Sequence, residues 1–471
     1  VTRRLGLAAA FVAAALLALP AVAQAHGIIG RADLPIPKWL FGWGAAVVLI
    51  VSFVALATLW PKPQLEAAAR RRVARIPGWV DPLCGVVGVA LFALLVYAGF
   101  AGAQTAAANL VPTWVYVVFW VGLPFMSLFF GDVFRLFSPW RAVGRFVEWI
   151  AARGRGEGDV RGPIPYPEWL GRWPAVLGIF AFAWLELVYA QRDDPSTLAL
   201  LALLYAFGQL VGMVAYGVAT WTERADAFGV YFNLFSRLSI WERRDGVLFV
   251  RPPLSGVTDL VALPGTVALL CTMIGSTSFD GFSAGPVWRD LLPHLEKPFT
   301  SLGLNVENAV EAAYTLGLVV MIGLILSLFM LGIAGMRRVE AGHSQHELAR
   351  KFVHSLVPIA LAYVVAHYFS LLAYQGQALG PLLSDPLGHG KDYLGLANRQ
   401  IDYTWVRAGG IWYVQVIALV IGHVAGLILA HDRALIVYQR AREATRSQLW
   451  MLCVMVAFTS LALWLLSAQN S

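Results

Sequence analysis

Residues 356–374 read LVPIALAYVVAHYFSLLAY, an apolar run without a single Asp, Glu, Lys or Arg. At 1.5 Å per residue a helix of this length covers the roughly 30 Å of a bilayer's hydrocarbon. Working outward, similar runs occupy 39–60, 83–103, 113–130, 174–191, 196–219, 258–278, 312–335, 411–430 and 449–467. Lipid-facing backbone must satisfy its own hydrogen bonds, and over runs this long only helices do so. The sequence therefore predicts an all-α integral membrane protein, a bundle of about ten transmembrane helices. Composition agrees. Hydrophobic residues make up 59% and charged residues 13%, against about 25% charged in soluble domains.

The net charge of +7 does not indicate a nucleic-acid partner, because its placement is that of a membrane protein. Arg70, Arg71, Arg72 and Arg75 share one short loop, as do Arg135, Arg141, Arg145 and Arg153, then Arg237, Arg243, Arg244 and Arg251. Later loops hold Arg337, Arg338, Arg350 and Lys351, then Arg433, Arg440, Arg442 and Arg446. The alternate loops are poorer, holding only Arg31, Lys38, Arg192, Arg289, Lys297, Lys391, Arg399 and Arg407. By the positive-inside rule the rich loops are cytoplasmic. Cys84, Cys271 and Cys453 lie in apolar runs without metal or disulfide spacing and read as small core residues.

Arg3 and Arg4 precede the apolar Leu5–Leu19, followed by Pro20 and Ala23-Gln24-Ala25. This is the pattern of a cleavable signal peptide over 1–25. It divides the chain into that segment and one polytopic domain, 26–471, with the mature N-terminus outside the cytoplasmic membrane. His26 would then be the first residue, able to chelate copper through its amine and ring. Aromatic and basic residues at helical spacing predict interfacial helices near 134–150 and 228–244. Within these, Gly131-Asp132-Val133-Phe134-Arg135-Leu136-Phe137-Ser138 echoes Gly229-Val230-Tyr231-Phe232-Asn233-Leu234-Phe235-Ser236. The echo reads either as an internal repeat or as two similar helices under one compositional pressure.

An ionisable side chain at bilayer depth costs at least about 2.5 kcal/mol on insertion scales, so each needs a partner, a cavity or a pathway. Glu186 and His367 lie in the outer halves of the fourth and eighth runs, and His423 in the ninth, nearer the inner side. Asp280 stands just beyond the sixth. Tyr363, one turn before His367, shares its face, and Gln415 starts the ninth run at similar depth. Two readings stay open: a polar cavity opening outward, or a structural Glu–His tie between helices. His343, His346 and His354 sit among arginines and read as a solvated loop, while His431-Asp432-Arg433 marks an interface. Gly281-Phe282-Ser283-Ala284-Gly285 fits the G-x-S-x-G pattern but follows a membrane helix rather than a strand. No nucleotide-binding or zincin motif occurs.

The block His26-Gly27-Ile28-Ile29-Gly30-Arg31-Ala32-Asp33-Leu34-Pro35-Ile36-Pro37, leading into Trp39-Leu40-Phe41, resembles bacterial, largely actinobacterial, membrane proteins labelled fenitrothion hydrolase. That resemblance implies a membrane-bound hydrolase of phosphorothioate triesters. Attack on phosphorus at neutral pH needs an activated water, most cheaply from a divalent transition metal. Glu186, His367 and Asp280 are then the candidate catalytic residues. His367, Glu186 and His26 are the candidate ligands, with His294 or His389 as outer-loop additions. Composition points equally to a permease of a solute, proton or metal ion, with Glu186 and His367 as carrier sites. Either way the expected partners are the lipid bilayer and a small-molecule substrate or solute, with no nucleic acid; the oligomeric state is left open.

Overall fold

A computed structural model describes residues 38–155, 162–339, 342–438 and 440–469. The signal segment, His26 and the block that carries the resemblance lie outside these. The described chain is mostly helical. α1 (Lys38–Leu59), α2 (Val80–Ala101) and α3 (Leu110–Phe130) are followed by the short α4 (Val133–Phe137) and by α5 (Pro139–Arg155). α6 (Trp173–Leu187), α7 (Pro195–Tyr216), α8 (Val218–Arg224) and α9 (Ala227–Ser236) complete the first half. The second half holds α10 (Thr266–Ser283), α11 (Pro286–Ser301), α12 (Val306–Arg337), α13 (Gln345–Phe352), α14 (Leu356–Gln375), α15 (Leu379–Ser384), α16 (Ala408–Val437) and α17 (Ala441–Gln469). A helix thus stands at every apolar run. Among the described residues six are long and apolar enough to cross a membrane, or seven if α10 and α11, bent by 94°, form one span.

The helices approach closely through small residues, as expected where lipid offers no hydrophobic drive to associate. A Cβ at Gly275 on α10 would stand 2.8 Å from the Ile322 backbone of α12. At Gly422 on α16 it would strike Ala362 and the Pro358 carbonyl of α14. Near the crossing of α3 the backbone widens into a π-helical stretch, Trp114–Gly122.

Three expectations need correction. The sixth apolar run, 258–278, is not one helix: turns occupy its start, and α10 begins at Thr266 after Gly265, whose φ of +83 suits glycine. Asp280 is therefore inside the last turn of α10 rather than beyond it. The region 228–244 is not an interfacial helix either. α9 is buried along almost its whole length, and Trp241–Arg244 (β2) then pairs antiparallel with Val247–Val250 (β3). Asp245 and Gly246, both at positive φ, make the hairpin turn, as Asp-Gly does where both central residues must be left-handed. Arg71–Arg75 (β1) adds to the other edge of β3, so a small sheet with order β1-β3-β2 departs from a purely helical fold. Finally, His354 is not solvated: it is 2% exposed, and Asp432, expected at an interface, is fully buried. Asp432 accepts hydrogen bonds from Trp60 Nε1 (2.9 Å), Gln64 N (2.6 Å) and Leu65 N (3.2 Å), and so ties the end of α1 to α16.

Candidate functional site

Asp280, His367 and Glu186 reach the same region from three helices. α10 delivers Asp280 on a helix rich in hydroxyls that satisfy themselves. Thr272, Thr277 and Ser278 donate to the carbonyls of Ala268, Met273 and Ile274 four residues back, so none competes for the carboxylate. α14 brings His367, and His367 Nε2 lies 2.8 Å from Asp280 Oδ2. The two side chains keep 21% and 24% of their surface accessible, so the pair borders open space rather than sealed core. The last turn of α6 supplies Glu186, whose Oε1 accepts a long hydrogen bond (3.4 Å) from the Tyr368 hydroxyl. The Tyr368 ring meets the His367 ring edge-on at 4.7 Å. The carboxylates of Glu186 and Asp280 lie close enough for their charges to act on each other, and both act on Tyr368. The expected trio is thus brought together, in the order Asp280, His367, Tyr368, Glu186.

An aromatic wall backs it. Trp120, from the π-helical stretch of α3, is 2% exposed and stacks on Tyr231 of α9 at 4.7 Å. Its indole is also a neighbour of Glu186. π-helical turns frequently accompany functional sites because they re-aim side chains. Beside the pair, Phe279, Trp288 and Tyr314 pack edge-to-face at 5.1 to 6.0 Å. Trp288 is the one buried residue of α11, and it pins that helix next to the site.

Deeper along α14, Tyr363 is 7% exposed, and its hydroxyl finds no partner among the described residues. Its ring lies 6.2 Å from that of His423 on α16. His423 is fully buried, and its Nδ1–H donates to Leu419 O at 2.7 Å. That fixes the tautomer, leaving Nε2 an acceptor without a described partner. A buried polar atom of this kind costs free energy unless water reaches it. Tyr363 and His423 thus place two such polar atoms near one another, Tyr363 one helical turn, about 6 Å, from His367 along α14.

The metal reading fares less well. His367 Nε2 is taken by Asp280, Glu186 by Tyr368, and no group of three or more His, Cys, Asp or Glu among the described residues suits a metal ion. His294 on α11 and His389 in the loop after α15 are exposed, and His26 lies outside the described residues. Ser283 of the G-x-S-x-G stretch ends a helix and donates to Asp280 O at 3.1 Å; no strand precedes it. Sequence reasoning missed Tyr368, Trp120 and Tyr231. Only Tyr368 carried a signal, as the direct neighbour of an intramembrane histidine.

No family model, curated protein or solved structure matches this chain.

Proposed function

We propose that this protein is a proton-linked permease in which Asp280, His367, Tyr368 and Glu186 hold and pass the proton. What carries the reading is the 2.8 Å contact of His367 with Asp280 beside a second carboxylate, all on apolar helices. Carboxylates and histidines lined up at bilayer depth are the parts of proton relays in pumps and transporters. The buried polar atoms of Tyr363 and His423 extend that line along α14 and α16. In this reading the helices at all ten apolar runs, the shorter ones included, cross the cytoplasmic membrane after removal of residues 1–25. The mature N-terminus and the relay face outward, and the arginine-rich loops face the cytoplasm.

The test is reconstitution in liposomes with a trapped pH dye, a panel of small solutes outside and an imposed membrane potential. Wild type acidifies the lumen with at least one solute, whereas Glu186→Gln and His367→Gln slow that flux tenfold or more. Flux equal to wild type in both variants removes the relay from the mechanism.

A second reading has one observation in its favour. With Nε2 held by Asp280, the Nδ1 of His367 is free to take a proton from water, the arrangement of an oriented general base. That would suit a membrane-bound triester hydrolase, the activity implied by the resemblance of residues 26–41. Turnover of a chromogenic phosphotriester by purified protein, abolished in His367→Gln and unaffected by a proton gradient, would select it over the permease.

A further inference from the structure

On the face opposite the relay, among α4, α5, α8 and α9, lies a cavity of about 260 Å³. We infer that it is a binding site for a phosphate group, carried either on a lipid headgroup or by a free phosphate. The volume falls below the roughly 300–1,000 Å³ of pockets for drug-sized ligands, which suits a compact anion.

The charges decide the ligand. Arg135, Arg141, Arg145 and Arg237 all line the cavity, together with four acidic residues, so the formal count is even. Hydrogen bonding makes it uneven. Asp132 is taken by Asn233 Nδ2 (2.8 Å) and by the backbone N–H of Arg135 (3.2 Å). Glu148 accepts from Val218 N at 2.8 Å. Asp226, fully buried, accepts from Trp140 Nε1 at 2.7 Å and Tyr205 OH at 2.8 Å. These three carboxylates are spent on neutral donors, and none lies within 4 Å of a lining arginine. Glu223, exposed at the rim, is the fourth.

The guanidiniums have few carboxylates within ion-pair distance, although Asp132, Glu223, Glu242 and Asp259 act on Arg237, and Asp81 and Asp132 on Arg141, from further away. Arg141 donates to the carbonyl of Arg135 at 2.7 Å, and Arg237 to Asn233 Oδ1 at 3.3 Å. Arg145 alone has a carboxylate, Asp81, at 3.3 Å. Burial first, then the positive charges of Arg135 and Arg145, lower the Arg141 pKa to about 10. A bound anion would relieve that crowding. Forked guanidiniums are the groups that match phosphate oxygens two at a time. Beside them α5 exposes Phe146, Trp149 and Ile150 at 58%, 49% and 52%, a surface suited to the headgroup region.

The experiment uses the full-length protein in detergent and in nanodiscs. Sodium phosphate is titrated against sodium chloride at equal ionic strength, with thermal stability as the readout. In parallel, native mass spectrometry counts phosphatidylglycerol kept after reconstitution in phosphatidylcholine with and without phosphatidylglycerol. Wild type and the control Arg71→Gln, which removes the same charge from the exposed strand β1, respond to at least one phosphate source. Arg141→Gln lowers the apparent affinity about tenfold or more, Arg141→Lys lowers it less, and Glu223→Gln raises it. Retained phosphatidylglycerol with a weak response to free phosphate assigns a lipid; the reverse assigns a soluble phosphate. If neither source acts beyond chloride, or if Arg141→Gln and Arg71→Gln respond alike, the site is not there.

Discussion

The Asp280–His367 contact can be weighed by a double-mutant cycle with Asp280→Asn and His367→Gln. A hydrogen bond to a charged partner contributes about 1.5–3 kcal/mol. Removing one member of a fully buried ion pair costs about 3–5 kcal/mol, because the survivor is left uncompensated. This pair retains 21% and 24% of its surface accessible, so it is not fully buried and that penalty is smaller. Each single variant should therefore lose about 1.5–3 kcal/mol. The double variant has no stranded charge and should lose clearly less than the sum, with a coupling of about 1–2 kcal/mol. Reversible unfolding in mixed detergent micelles with increasing dodecyl sulfate gives all four stabilities, and the liposome assay is run on the same preparations. Additivity within about 0.5 kcal/mol, the usual result for independent sites, would mean that the two residues do not interact, and the relay would lose its first step.

Asp432→Ala leaves the Trp60 indole and two backbone N–H groups without an acceptor and should cost about 2–4 kcal/mol. Asp432→Asn should cost less than half of that in the same unfolding assay. Trp288→Ala removes the only buried side chain of α11 and should destabilise by about 3–5 kcal/mol; faster proteolysis at α11, read by mass spectrometry, would follow its release. Burial lifts the Asp226 carboxyl above the ordinary carboxylate range. The stability that this shift contributes is fully present below about pH 3.9, the unfolded value, and is lost as pH rises through the raised value. Asp226→Asn should flatten that slope, in chloride buffers, and an unchanged slope would refute it.

The legible part of the site is the part whose chemistry clashes with its surroundings. Glu186 and His367 stand out because a charge in an apolar run has a known cost, and that same cost makes them converge. Tyr368 and Trp120 do not stand out, since aromatic residues are ordinary in membrane helices. The misread segments share another cause. The stretch 228–244 has the aromatic and basic composition of an interfacial helix, but its arginines fall in β2, and in α9 Phe232 packs against Phe134 at 5.0 Å and Asn233 binds Asp132. Only the first joins matching positions of the two echoing segments, but both are long-range contacts that no local window contains. The hairpin at Asp245-Gly246 did carry its turn signal, hidden by Arg243 and Arg244 just before it. His354 shows the limit of reading polarity as exposure: it is 2% exposed, with Arg433, far away in sequence, nearby.

The placement of α9 bears on which function the protein performs. Tyr231 and Asn233 are two residues apart, so on a helix they point in nearly opposite directions. Tyr231 stacks on Trp120 beside Glu186, while Asn233 holds Asp132 in the arginine-lined cavity. One buried helix therefore borders both the relay and the cavity on the other face. A hydrolase working at one surface has no use for such a link. A permease requires one, because alternating access demands that events at one face bias the conformation at the other. The rigid aromatic packing around α9 can transmit that bias only as a movement of the whole helix, since cores this dense do not deform by degrees. The helix that the sequence disguises as a surface element is thus the one on which the permease reading leans hardest.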